Sequence, residues 1–254
     1  MSDNQLDPPE AWEFYPCQME EGVAWFAVDL GVADVLRKGI STTLLALRIE
    51  LKEQRDGVTT PEEFEVLRRL TEPIEAYANT HRGRYVGHYT CAGVRHAYVY
   101  ADLDEETARN LVVRAQESSR RAVRFYVEEE PEHQSYFELL HPTADDWQVI
   151  MDMRVIDGLR EKGDPLTTAR CIDHFAYMPD QESASDLAEW LKSEGYAVDS
   201  IESVAADDGL ASRQVGVRFT EEVVPSLGTL RTVPLRRACS ERGGEYDGWG
   251  CSVL

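Results

Sequence analysis

Twice along this chain, strand-like and helix-like runs follow one another in the order β-α-β-β-α-β, an order that few arrangements of a sheet can accommodate. The first round opens at Thr42 to Lys52, rich in leucine and β-branched residues, and ends in turn chemistry at Arg55-Asp56-Gly57. Thr60-Pro61-Glu62-Glu63 then supplies an N-cap hydroxyl, a proline at the first helical position and a glutamate three residues after the cap. The helix that follows is expected to bury Phe64, Leu67 and Leu70 and to kink or break at Pro73. Two aromatic strands, Arg84 to Thr90 and Val94 to Ala101, come next. An Asp104-capped helix and a strand at Ala122 to Val127 close the round, with one more strand expected at Tyr136 to Leu140. A hairpin at Glu13 to Gln18 and Val23 to Leu30 precedes it, and Pro16 marks its first strand as an edge.

A helix capped at Thr143-Ala144-Asp145-Asp146 and stopped at Gly163 carries the expected domain junction. Beyond it come a strand at Ala169 to Met178, an Asp180-capped helix, and strands at Tyr196 to Val204 and Gln214 to Phe219. A helical stretch ending near Arg242 and a closing strand complete the second round. The reading is an α+β protein of two tandem ferredoxin-like (βαββαβ) domains with antiparallel sheets, the first with an extra N-terminal hairpin. The domains are expected at residues 1–145 and 146–254.

Composition narrows function. With 254 residues, 43% hydrophobic and 29% charged, the chain has the balance of a globular protein and material for two cores. Its longest apolar runs, such as Val23 to Val28, fall far short of the ~18 residues of a membrane span. Residues 1–11 read as a polar, frayed leader with acids where a secretory signal needs bases, so a cytoplasmic location is expected and no membrane partner. The net charge of −21 is spread over both halves and repels phosphate backbones, which argues against direct nucleic-acid binding and for a basic protein partner.

Cys17, Cys91, Cys171, Cys239 and Cys251 are widely spaced, and the six histidines show no ligand spacing, so neither a metal nor another cofactor is expected. No G-x-G-x-x-G, P-loop, H-E-x-x-H or G-x-S-x-G run is present, and no catalytic residues are assigned. His174 falls in an apolar row with Ile172, Ala176 and Met178, which favours a hydrogen-bonded core histidine.

The run Gly243-Gly244-Glu245-Tyr246-Asp247-Gly248-Trp249-Gly250 is unlike an ordinary core strand. Read plainly, it is a bulged terminal strand whose tryptophan fills core. Read functionally, glycines on either side of Trp249 leave it prominent. In a ferredoxin-like sheet the last strand lies beside the first, and regular alternation would bring Trp249 and Asp247 near Asp173, Phe175 or Tyr177. The candidate partner-binding set is therefore Glu245, Tyr246, Asp247, Trp249, Asp173 and Tyr177, an aromatic and acidic patch suited to an arginine-rich partner.

Glu245 to Gly250 resembles the closing signature of the bacterial family named for the regulator of ribonuclease E activity B. Leu159, Gly163-Asp164-Pro165-Leu166 and Ile172-Asp173-His174 resemble that family's entry helix, turn and first strand. The first half resembles the domain of unknown function 695 through Trp12-Glu13-Phe14-Tyr15, Val28-Asp29-Leu30, Arg55-Asp56-Gly57 and Gly87 to Arg95. The first resemblance implies a non-catalytic protein that binds ribonuclease E or a related degradative endoribonuclease and modulates it in the direction of inhibition. The second implies no activity. The best-known regulators extend into a strongly acidic tail, which this sequence lacks up to Leu254, so a different partner is also left open. Two other classes stay open. One is a small-molecule sensor with a closed polar pocket near Trp147 to Leu159. The other is an enzyme using His88, His96, Arg95 or Tyr98, which a cluster of these in a cleft with shifted pKa values would favour.

Overall fold

The computed structural model of the chain describes residues 10–52, 54–55, 58–204 and 214–254, with side chains omitted at Gln54, Arg55 and Val58. The expected turn residues Asp56 and Gly57 and most of the expected leader lie outside the described residues. Contacts divide the chain into two compact units, residues 1–142 and 143–254.

The first unit runs β1 (Trp12–Met19), β2 (Gly22–Asp29), a 3-10 turn (Leu30–Val32), α1 (Ala33–Leu36), β3 (Thr43–Glu50), β4 (Gln54–Arg55), β5 (Val58–Thr59) and α2 (Pro61–Thr80). It continues with β6 (Arg84–Cys91), β7 (Val94–Tyr100), α3 (Glu105–Ser119) and β8 (Val123–Glu129). Six strands form one antiparallel sheet in the order β1-β2-β6-β7-β3-β8, with Pro16 in the edge strand β1. The Thr60 hydroxyl accepts from the Glu63 amide and the Asp104 carboxylate from the Thr107 amide, so both long helices begin at the caps their sequences offer. Leu67, Leu70 and Ile74 of α2 and Ala108, Leu111 and Ala115 of α3 pack on Leu45, Leu47, Ile49, Ala97 and Val99.

Three expectations fail here. α2 does not break at Pro73 into two helices but continues through it, because Leu70 and Ile74 on either side are anchored in the core and outweigh the lost hydrogen bond. Phe64 is 51% exposed, on the wall of an open pocket between α2 and the β1-β2 hairpin. Ser135–Leu140 is a turn of π-helix and not a strand. A five-residue run with only Glu138 charged does not distinguish the two, and local bonds decide it: the Ser135 amide and hydroxyl donate to Glu130, and Tyr136 Oη reaches the Asp29 carbonyl at 2.9 Å.

The second unit runs α4 (Ala144–Glu161), β9 (Arg170–Met178), α5 (Gln181–Ser193), β10 (Ala197–Ser203), β11 (Val215–Val223), α6 (Thr232–Glu241) and β12 (Glu245–Gly250). Its sheet is antiparallel in the order β10-β11-β9-β12. α4 starts in a capping box between Thr143 and Asp146. Leu187 and Leu191 of α5 and Leu235 and Cys239 of α6 pack on Ala176, Val217 and Phe219, while Ile156 and Leu159 of α4 pack on Ile172 and Trp249. The helices therefore share one face of the sheet. On the other, Cys171 and Asp173 are exposed and Phe175 and Tyr177 half-buried. The chain is thus α+β with two antiparallel sheets, and no described helix is long and apolar enough to cross a membrane.

Candidate partner-binding surface

Strand β12 is bulged. Tyr246 pairs with Ala176 and Gly248 with Phe175, so Asp247 is an extra residue, and Gly248 takes φ +112°, a conformation that costs glycine least. One inserted residue reverses the alternation that follows. Trp249 consequently turns to the helix side with Tyr246, and both are buried, at 8% and 7% exposure. The expectation that Trp249 shares a face with Asp173 and Tyr177 is corrected by this bulge, and the plain reading of a core tryptophan holds.

Inside, the two motifs meet. Trp249 stands opposite His174, whose Nδ1 lies 2.8 Å from the Tyr246 hydroxyl and whose Nε2 lies 3.3 Å from Glu221. His174 is fully buried and stacks on Phe219 at 5.0 Å, as expected of a hydrogen-bonded core histidine. Trp249 Nε1 donates to Asp152 Oδ1 at 2.8 Å, Gln148 Nε2 donates to the same oxygen at 3.0 Å, and the Thr232 hydroxyl donates to Oδ2. Burial raises the Asp152 pKa above the usual carboxylate range, against the lowering effect of those three donors. Burial likewise raises the Tyr246 phenol and pushes the Tyr196 phenol up to about 12. Sequence reasoning missed Asp152. Its signal was the row Gln148, Asp152, Ile156, Leu159 at helical spacing, two polar residues inside an inward stripe.

The Gly163-Asp164-Pro165-Leu166 motif is a clamp. The Asp164 carboxylate accepts from the Leu166 amide at 2.8 Å and the Leu254 amide at 2.9 Å, and it pairs with Arg170, which also donates to the Ser252 carbonyl. The Arg170 guanidinium holds the Asp164 pKa well below the usual carboxylate range. Asp145 similarly ties the start of α4 to Arg236 and Arg237 of α6.

Outside, the uncovered sheet face gathers the rest of the expected set. Glu245 stands beside Tyr177, and Asp173, Glu245 and Asp247 are exposed. A depression of about 490 Å³ opens there, lined by Asp173, Phe175, Asp199, Arg218 and Gly250. Nothing lies within 4 Å of where a Cβ on Gly250 would sit, so the glycine leaves this part of the face unobstructed. The Arg218 guanidinium lies over the Phe175 ring at 4.4 Å, an internal example of the cation contact this surface accepts. A groove of about 260 Å³ lined by Trp147, Gln148, Met151 and Tyr246 is open to solvent, unlike the closed pocket a sensor would need there. In the first unit His88 and Arg95 line one pocket, whereas His96 and Tyr98 lie with Tyr89 in an aromatic row on the opposite face. Among the described residues no cluster of three His, Cys, Asp or Glu side chains has the geometry to hold a metal ion.

Residues 149–251 match the family model described as regulator of ribonuclease activity B. Residues 10–141 match the family of unknown function DUF695 over more than half of the chain, and the chain belongs to that family. Among solved structures, an unknown protein from Galdieria sulphuraria is 13% identical, with 81% of this chain and 96% of that chain covered and a TM-score of 0.22. A structure described as a glycine cleavage system transcriptional repressor is 7% identical, with 84% and 100% covered and a TM-score of 0.24. Scores of this size carry no argument about fold. No curated protein matches the chain.

Proposed function

We propose that this chain is a non-catalytic, cytoplasmic regulator that binds a basic segment of a ribonuclease E-type endoribonuclease and restrains it, with the second unit as the binding module. The reading takes both units as ferredoxin-like. Strand orders β6-β7-β3-β8 and β10-β11-β9-β12, each built from β-α-β-β-α-β, support that, with β1 and β2 added to the first. The observation that carries the function is the uncovered sheet face of the unit matching the regulator family, where Asp173 and Asp199 flank Phe175 over a floor left low by Gly250. The Phe175 ring already carries Arg218, so an incoming arginine would pair with the carboxylates of Asp173 and Asp199 beside it. Tyr177, Glu245 and Asp247 continue the same face, so they remain in the proposed contact set, while the buried Tyr246 and Trp249 shape it from beneath. The net charge of −21 directs encounter toward basic protein and away from RNA.

The test is surface-binding kinetics against the basic scaffold segment of such a ribonuclease, with RNA as competitor. Raising ionic strength from ~0.05 M to ~0.5 M should slow association much more than it speeds dissociation. D173N/D199N should weaken binding with an unchanged unfolding midpoint. A salt-independent association rate, full binding by that double variant, or direct RNA binding by the chain would each overturn the reading.

A further inference from the structure

The first unit contains a pocket that the ribonuclease reading does not use. Helices α2 and α3 cover β3, β7, β8 and part of β6, but the added β1-β2 hairpin widens the sheet past their reach. The gap between α2 and the hairpin is a pocket of about 240 Å³. Trp12, Phe14 and Ala27 line it from the hairpin, Phe64, Leu67 and Glu75 from α2, and the polar floor comes from β6 and β7. Phe14 and Phe64 are 58% and 51% exposed, two large apolar side chains left in water at one pocket.

A bulge builds the floor. Tyr85 pairs with Val99, Gly87 with Tyr98 and His88 with Ala97, so Tyr85 and His88 share a face that regular alternation would deny them. A side chain at Gly87 would meet the Ala27 carbonyl oxygen at 2.6 Å, and its φ is +153°. The Tyr85 hydroxyl lies 2.9 Å from His88 Nδ1. Burial raises the phenol and, with Arg95, lowers the imidazole, so the pair is uncharged, a phenol hydrogen-bonded to a neutral ring.

Arg95 supplies the observation that points to a ligand. Its side chain is 7% exposed, and its partners are two threonine hydroxyls, Thr90 at 3.0 Å and Thr59 at 2.9 Å. No described carboxylate lies within ion-pair distance of it. The nearby Glu63 is occupied by Arg121 and by the Lys52 amide. A buried guanidinium without a counter-ion is costly unless something else supplies the charge. Arg68 also lines the pocket but is paired with Glu65 and Glu72, so one buried cation, a neutral imidazole and apolar walls are left, which suits a single planar anion on a small hydrophobic body. A dianionic phosphate would need more donors than this floor offers.

We propose that this pocket binds a small monocarboxylate, its carboxylate against Arg95 and its single ring or short acyl chain between Trp12, Phe14 and Phe64. Glu75, raised by burial, lies on the α2 wall and disfavours the reversed orientation, with the acid group at that wall.

Titration calorimetry of the full chain with phenylacetate and its neutral isostere phenylacetamide tests this. The acid should bind at least about tenfold more tightly than the amide, a difference of about 1.4 kcal/mol. R95Q should erase that preference with binding of the amide unchanged, which also reports an intact pocket. Phe14→Ala with Phe64→Ala, both exposed and so outside the folding core, should weaken both probes alike. Equal affinity for acid and amide, no saturable binding of either, a preference that survives R95Q, or unchanged binding in the double alanine variant would each overturn the proposal.

Discussion

The indole N–H of Trp249 is bonded to the carboxylate of Asp152 at 2.8 Å, across 97 residues of chain. It ties the last strand of the second unit to the helix that opens it. Truncating this side chain removes both a core ring and one of three donors to a buried acid. W249A should cost about 3–5 kcal/mol of stability, and W249F about 1–3 kcal/mol because the ring volume is largely kept while the donor is lost. Urea unfolding of the two variants checks this, and a midpoint near that of the parent for W249A would contradict the burial described.

Asp152 should also set a pH dependence of a particular sign. Its folded pKa is raised by burial, so between the ordinary carboxylate value of ~3.9 and that raised value the folded state holds more protons than the unfolded chain. Stability from this residue therefore grows as pH falls from 7 toward about 4. The parent should gain stability relative to D152N over that range, measured by urea unfolding at both ends. A constant difference would mean that the donors cancel the effect of burial.

Asp164 should behave in the opposite sense. Its pKa is depressed, chiefly by Arg170, so its contribution is present above ~3.9 and is lost as pH falls below that value. D164N should be destabilised at pH 7, and the penalty should shrink progressively as pH falls from about 4 toward the depressed folded value. Thermal unfolding across that range decides it, and a penalty that persists in acid would assign the effect to the turn geometry alone.

The two bulge glycines should respond differently to alanine. Both take positive φ, but only at Gly87 does the added carbon strike backbone, while around Gly248 there is open space. G248A should cost about 1–3 kcal/mol from conformational strain, and G87A more than that. Unfolding midpoints in reverse order would place the strain elsewhere.

How much of this was legible follows from these same residues. Caps such as Thr60, Asp104 and Thr143 announce helices through local chemistry, and that chemistry is what the folded chain uses. The order of elements followed from them. What the sequence hid was phase. Counting alternate residues from Glu245 puts Trp249 on the face of Asp247, and the bulge moves it to the face of Tyr246. The same slip kept Tyr85 from being grouped with His88. In both places the tyrosine is followed two residues later by glycine, a pattern that, read as a bulge, gives the correct side. Phe64 was misread for another reason: a helical stripe does not reveal that a gap lies between its first turn and the hairpin opposite.

The strand orders have a consequence for biosynthesis. In each sheet an early strand, β3 or β9, is flanked on one side by a strand the ribosome delivers only at the end of the unit, β8 or β12. Until residues 245–250 have emerged, β9 offers a bare hydrogen-bonding edge beside His174, and Tyr246 and Trp249 are missing from the core. A nascent second unit is for that interval a substrate for chaperones and proteases, and slower translation of the stretch before Glu245 would lengthen its exposure.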